Sequence, residues 1–253
     1  MEQSNNSDQK SIIQLYDQLE LLSEGNPPRQ TLFVLAKAPL IQVVIDETIQ
    51  NQLLLIDPPT DVATRFNVEG NVAILHTGPQ PEAAIDLPLL QTIPGGVAHI
   101  RIGEHLLDVY SQQSSAVVHI PALGILCGGL FGSDLVVPIL AEGTNGGPEL
   151  DTLRLLASLI KKHHLQLYIP RIGQTESDPI KVMARLASDV AYLHSLRRIV
   201  PSLVERGDAL DDLLGMADAL LPSDRHHEVS IERARQMHKT NLSILYNQFS
   251  RPT

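Results

Sequence analysis

Leu53-Leu54-Leu55-Ile56-Asp57-Pro58-Pro59 and, further on, Ala73-Ile74-Leu75-His76-Thr77-Gly78-Pro79-Gln80-Pro81-Glu82-Ala83-Ala84-Ile85-Asp86-Leu87 are the stretches on which the fold turns. The first opens on four apolar residues without alternation, which suits a strand buried on both faces. The second opens on a similar short run. Each then breaks at once into polar residues, glycine and proline, the chemistry of a loop. Strands of this kind need cover on two sides, so the expectation is a layered α/β protein rather than an open sheet facing water.

The rest of the chain extends this pattern. Thr31–Ala36, Ile41–Asp46, Gln52–Asp57 and Val72–His76 read as strands set off by turn residues. Val97–Ile102 and His105–Tyr110 flank Gly103-Glu104 and read as a hairpin. Ser115–Ile120 and Gly124–Cys127 continue the series, joined by a turn at Pro121-Ala122-Leu123-Gly124. Pro79–Leu90 reads as a helix or turn region. After Gly147 the spacing becomes helical. Leu150, Leu153, Leu156, Ala157 and Ile160 share one face of a helix over Glu149–His164. A short strand, Leu165–Ile169, precedes helices expected over Asp178–Leu203, Asp208–Leu221 and Ile231–Phe249. At the other end, residues 1–10 read as a disordered start. Ser11 reads as the cap of a helix over residues 11–24, stopped by Gly25-Asn26-Pro27-Pro28.

The order is strand-rich first and helix-rich last, which excludes a doubly wound sheet alternating throughout. Three units are expected: residues 1–30 as an N-terminal tail and helix, 31–175 as the core, and 176–253 as C-terminal helices packed on it.

Composition narrows the function. The formal net charge of −10 repels nucleic-acid phosphates and anionic lipid unless a basic patch overrides it. Lys161–Lys162 and Arg197–Arg198 are isolated pairs, so neither a nucleic-acid nor a membrane partner is expected. Cys127 is the only cysteine. It allows no internal disulfide and no cysteine zinc site, and it fits a reducing compartment. The polar start offers no signal peptide, and no apolar run reaches the ~18 residues of a membrane span. The cytoplasm is the expected location.

Five segments, in order along the chain, then resemble one family. Leu53–Pro59 is similar to the early metallo-β-lactamase strand "LLIDTG". Ala73–Leu87 resembles "ILxTHxHxDHIGGL". Tyr110–Pro121 resembles "GHTPGSVVLYLP", and Ile125–Phe131 resembles "VLFTGDLLF". Leu167–Gly173 resembles "VYPGHG". The late helices, with Tyr192-Leu193, Leu196 and His238-Lys239-Thr240-Asn241-Leu242, also look like those of family hydrolases. The resemblance spans roughly residues 31–249. It implies a four-layer αββα metallo-β-lactamase-like sandwich with additional C-terminal helices.

It also implies a dinuclear zinc site, and there the residues depart from the pattern. The three histidine positions of the first motif hold Gly78, Gln80 and Ala83, and its aspartate position holds Glu82. The next histidine position holds Ser111 (or Gln112, one residue along). The bridging aspartate position holds Gly129, and the last histidine position holds Ile172. Zinc requires about four nitrogen, sulfur or carboxylate donors. Glycine, alanine and isoleucine supply none, and neutral serine and glutamine oxygens suit zinc poorly. No dinuclear zinc and no catalytic residue are therefore expected. Ser111, His76 and Asp57 or Asp134 could be drawn as a triad, but no Gly-x-Ser-x-Gly elbow frames a serine. Cys127 reads as a small buried hydrophobe.

What remains is a cleft lined by Thr77, Gly78, Gln80, Glu82, Ala83, Ser111, Gln112, Gly129, Asp134, Arg171 and Ile172. Arg171 replaces a family glycine and brings a fixed charge. It is expected to pair with Glu82 and fill the old metal space, or else to bind a small anionic ligand. The functional expectation is a catalytically inactive binding or interaction protein, with homo-oligomers possible. The alternative is a hydrolase with a remodelled, weakly metal-binding or metal-free site.

Overall fold

In the computed structural model, residues 10–35, 52–58, 71–78, 93–113 and 115–250 are described. They form two five-stranded sheets and a helical layer. The first sheet holds β1 (Lys10–Tyr16), β2 (Leu19–Glu24), β3 (Arg29–Leu35), β4 (Gln52–Ile56) and β5 (Asn71–Leu75), in that order. The second holds β6 (Val97–Ile102), β7 (His105–Ser111), β8 (Ala116–Ile120), β9 (Ile125–Gly129) and β10 (Leu167–Pro170). The pairs β4–β5 and β9–β10 are parallel, and the other pairs are antiparallel.

Strand alternation explains the layers. Val34, Leu54, Ile56 and Leu75 of the first sheet meet Leu107, Val109, Val118, Cys127 and Ile169 of the second, forming the core between them. Val117, Leu126 and Tyr168 point the other way, into a second core under the helices. Both faces of β8 and β9 are thus buried, which is why their sequences carry almost no polar residue, His119 excepted. Phe33, Leu55 and Ile74 alternate with the inter-sheet set and are buried too. The first sheet is thus covered on both faces at β3, β4 and β5, while its edge strand β1 is exposed.

The helical layer contains α1 (Gly147–Lys162), α2 (Pro179–Glu205), two short helices α3 (Leu210–Gly215) and α4 (Ala217–Leu220), and α5 (Ile231–Phe249). Leu150, Leu153 and Leu156 of α1 enter the core as their spacing predicts. Asp178 caps α2 by accepting from the Ile180 N–H at 2.8 Å. Buried side chains of α2 and α5 hold the segment after β9. Asp189 accepts from the Gly132 N–H at 2.7 Å and from Arg225 at 3.0 Å. Asn241 accepts from the Leu140 N–H at 2.9 Å and donates to the Pro138 carbonyl at 2.7 Å. It also donates to the Tyr192 hydroxyl, which bonds His238 at 2.8 Å.

Two sequence expectations are corrected. Residues 11–24 are not a helix but the β1–β2 hairpin, turning at Asp17-Gln18 with Gln18 at φ +64°. Their apolar residues satisfy helical spacing and strand pairing alike. Leu19, Leu21 and Leu22 are buried through pairing with β3, and that tertiary contact decides the outcome. Asp208–Leu221 is two short helices rather than one, broken at Gly215-Met216, where glycine weakens helix continuation. The strand read at Ile41–Asp46 and the helix or turn region at Pro79–Leu90 lie outside the described residues. So do residues 1–9 of the start read as disordered, while Lys10 opens β1.

Gly128 has a packing reason. A Cβ there would overlap the ring and hydroxyl of Tyr168, which is fully buried and donates to the Phe131 carbonyl at 2.7 Å. Gly128→Ala is expected to lower stability by about 3 kcal/mol through overpacking, read from the urea midpoint. An unchanged midpoint would contradict this packing. His238, enclosed in the helical layer, offers a second test. Burial lowers its pKa to about 4, against the pull of the Ala217 main chain and Asp218. The unfolded chain would take up this proton near pH 6.5, so His238 contributes stability that is lost as pH falls from about 6.5 towards 4. Histidine resonances followed by NMR should show this imidazole neutral at pH 5, and an imidazolium there would refute the assignment.

Candidate functional site

Sheet topology gathers one set of loops at one end of the sandwich. Asp57 follows β4, and His76, Thr77 and Gly78 follow β5. Ser111 ends β7, Gly129 ends β9, and Arg171 and Ile172 follow β10. Arg29 opens β3, which runs antiparallel to β4, and so lies at the same end.

Asp57 is the centre of this set. It adopts a left-handed backbone at φ +55°, which costs a non-glycine residue roughly 1 kcal/mol. Its side chain offsets that cost. One carboxylate oxygen accepts from the Thr77 N–H at 2.9 Å, and the other accepts from the Thr77 hydroxyl. Its own N–H donates to the Leu75 carbonyl at 2.9 Å, and its carbonyl accepts from the Thr31 hydroxyl at 3.2 Å. Thr77 passes the connection to the second sheet, because its carbonyl accepts from the Ala116 N–H at 3.1 Å.

Arg171 closes the arrangement. Its Nε lies 3.7 Å from Asp57 Oδ1, with both side chains nearly excluded from water. Its main chain bonds Gly129 and Gln30, at 2.7 and 3.0 Å. One guanidinium nitrogen stands 3.4 Å from where a Cβ on Gly78 would lie. Arg171 was expected to pair with Glu82, which lies outside the described residues along with Gln80 and Ala83. Among the described residues, its carboxylate neighbour is Asp57.

The other expected cleft residues fall into place unevenly. Gly129 abuts Thr77: an added Cβ would sit 2.9 Å from both its carbonyl and hydroxyl oxygens, at a backbone φ of +63°. Ser111 is buried beside this group, paired with Ala116 in the sheet, and its hydroxyl has no hydrogen-bond partner. Gln112 turns its N–H to the Ser115 carbonyl at 2.8 Å. Asp134 accepts from the Gln174 N–H at 2.9 Å and so braces the segment after Arg171. Ile172 is buried in the core under the helices.

The catalytic alternatives are not assembled. His76 Nδ1 lies 3.9 Å from Asp57, beyond hydrogen-bond range, and no hydrogen bond joins His76 to Ser111. Burial, with Arg171 and Arg29 adding to it, lowers the His76 pKa against the pull of Asp57. Cys127 is buried in the inter-sheet core, and burial pushes its thiol far up, away from thiolate chemistry. The described residues at the family ligand positions are Gly78, Ser111, Gly129 and Ile172, with a guanidinium beside them. No group of three or more metal-ligating side chains occurs among the described residues.

Sequence reasoning missed two further arginines. Arg29 bridges to Ile172 in the backbone, next to Arg171. Its pKa is lowered, first by burial and then by Arg171 and Arg233, while Asp57 and Glu24 act against this. Arg233, on the first turn of α5, is lowered by burial and by Arg171. Arg29 reaches the site end through its backbone bridge to Ile172, and Arg233 lines the same cavity as Asn26 and Pro27, just before Arg29. Only the extreme chain separation of these residues hid them. Asp57→Asn would keep the shape but remove the charge facing Arg171 and one acceptor for Thr77. It is expected to cost about 3 kcal/mol in urea unfolding. A loss under about 1 kcal/mol would remove Asp57 from the centre of the account.

No protein-family model matches the sequence, and no curated protein matches it. Solved structures do match in three dimensions. The inverting sec-alkylsulfatase Pisa1 from Pseudomonas sp. superposes with a TM-score of 0.57 at 10% identity, over 95% of this chain and 50% of that one. This chain thus spans half the length of that protein. A β-lactamase domain protein from Burkholderia ambifaria superposes with a TM-score of 0.52 at 11% identity, over 93% of this chain and 86% of that one. No helix among the described residues is long and apolar enough to cross a membrane. With its two stacked sheets, its helical layer and its loops gathered at one end of the strands, this chain has the metallo-β-lactamase fold.

Proposed function

We propose that this chain is a metal-free, non-catalytic protein of the metallo-β-lactamase fold whose cleft binds a small anionic ligand. The carrying observation is the close approach of Gly129 to Thr77. At the position of the family's bridging aspartate, a side chain has no room unless Thr77 moves. Thr77 is itself fixed by Asp57 and Ala116. This crowding supports a reading in which the position of Gly129 offers no metal ligand.

Two further features support the reading. A buried guanidinium beside Gly78 repels a dication and attracts an anion. The Ile172 side chain sits in an apolar core, where a ligating histidine would have to leave that packing. Among the described residues no group of three metal-ligating side chains occurs, and no step is derived through zinc.

Elemental analysis of the untagged full chain is expected to find zinc, iron and manganese all far below one ion per chain. Near-stoichiometric content of any of them would overturn the proposal. Gly129→Asp adds a check on the cause. It is expected to gain no zinc and to lose about 2 kcal/mol of stability, read in the same urea titration. A variant that is stable and takes up zinc would show the position to be open.

A further inference from the structure

β1 is the edge strand of the first sheet, with β2 on one side and no described strand on the other. Six of its seven residues are exposed. Ile12 and Ile13 are adjacent and so point to opposite faces, yet they are 55% and 51% exposed. Tyr16 is 47% exposed. Edge strands are ordinarily shielded by charges, a proline or a bulge. β1 has one charge, Lys10 at its first residue, and no proline. Its register shifts only between Gln14 and Tyr16, so Lys10–Gln14 runs in unbroken pairing with β2. Large apolar side chains on both faces, beside an open main-chain edge, suit the addition of another strand.

The edge is held in place from behind. His105 Nε2 donates to the Asp17 carbonyl at 2.9 Å, which ties the β1–β2 turn to the second sheet. Charge then indicates the occupant. Lys10 and Asp17 stand at the two ends of the strand, both exposed, and the six residues between them are uncharged. Antiparallel pairing of two such strands brings the cationic end of each to the anionic end of the other, whereas parallel pairing sets like beside like. Two copies that each carry a net charge of −10 repel one another in general. A strand with no carboxylate from Lys10 to Tyr16 lets them meet without adding to that repulsion.

We propose that two copies of this chain pair through β1, antiparallel about a two-fold axis at Ile13, joining their five-stranded first sheets into one continuous sheet. On that axis Ile13 meets Ile13 of the second copy on one face. On the other face Ile12 lies diagonal to Tyr16 of the second copy, within reach of an aromatic ring. Lys10 reaches Asp17 of the second copy at each end. The contact is isologous, so association through this edge stops at two copies. It is independent of what the cleft binds.

The test is sedimentation equilibrium of the full chain up to about 200 µM, where a monomer–dimer equilibrium with a Kd of about 10 µM is expected for so small a contact. Ile13→Lys sets like charges opposite each other on the axis and should leave a monomer throughout. Ile12→Lys, on the other face, should weaken the dimer about tenfold. Both side chains are largely exposed, so both variants should keep the wild-type urea midpoint. Ile180→Lys, at an exposed position of α2, should leave the dimer unchanged. Carbodiimide cross-linking then reads the orientation. Within one chain the strand holds Lys10 and Asp17 roughly 23 Å apart, so an amide between them forms only between copies, and mass spectrometry of the cross-linked dimer should find it. A monomer across the whole range, or a dimer that both Ile12→Lys and Ile13→Lys leave intact, would overturn the β1 interface. A dimer sensitive to these changes but without the Lys10–Asp17 amide would overturn the antiparallel pairing.

Discussion

The carboxylate of Asp57 is the point through which the site end of this protein is held together. It ends β4 in a left-handed conformation that needs compensation. It supplies both acceptors for Thr77, which follows β5, and the nearest described counter-charge for Arg171, which follows β10. Thr77 then bonds Ala116 at the start of β8. One side chain therefore connects the two sheets where their loops meet. Removing it would take away a buried charge beside Arg171 as well as the hydrogen bonds to Thr77.

That role bears on what the fold can do. Coordination to two zinc ions would draw such loops together by bonds from several side chains. In this chain, hydrogen bonds and one ion pair perform the same joining. The glycines of the segment after Cys127 fit this picture in different ways. Gly128 makes space for Tyr168, and Gly129 lets the chain pass against Thr77. Neither is a phosphate loop. Both serve packing.

Much of the architecture was legible because it is written in local pattern. The apolar run at Leu53–Ile56 announces a strand covered on both faces, and the leucine spacing of α1 announces its buried side. The hairpin at residues 10–24 was not legible, because its apolar spacing fits two periods and only pairing with β3 chooses between them. At the site, Gly129 and Ile172 could be flagged from the motif alone. Asp57 was visible as the end of a strand, but not as the partner of Arg171. Arg29 and Arg233 carried no signal at all. Nothing near either of them in the chain marks a site, and only the backbone bridge to Ile172 and the docking of α5 bring them to Arg171.

The central claim is that a carboxylate and guanidiniums now hold the place of the metal pair. Equilibrium dialysis of the untagged, metal-stripped full chain against zinc tests it most directly. The account predicts no zinc site tighter than about 1 µM. Binding of two zinc ions per chain below that concentration, lost in Asp57→Asn, would contradict it.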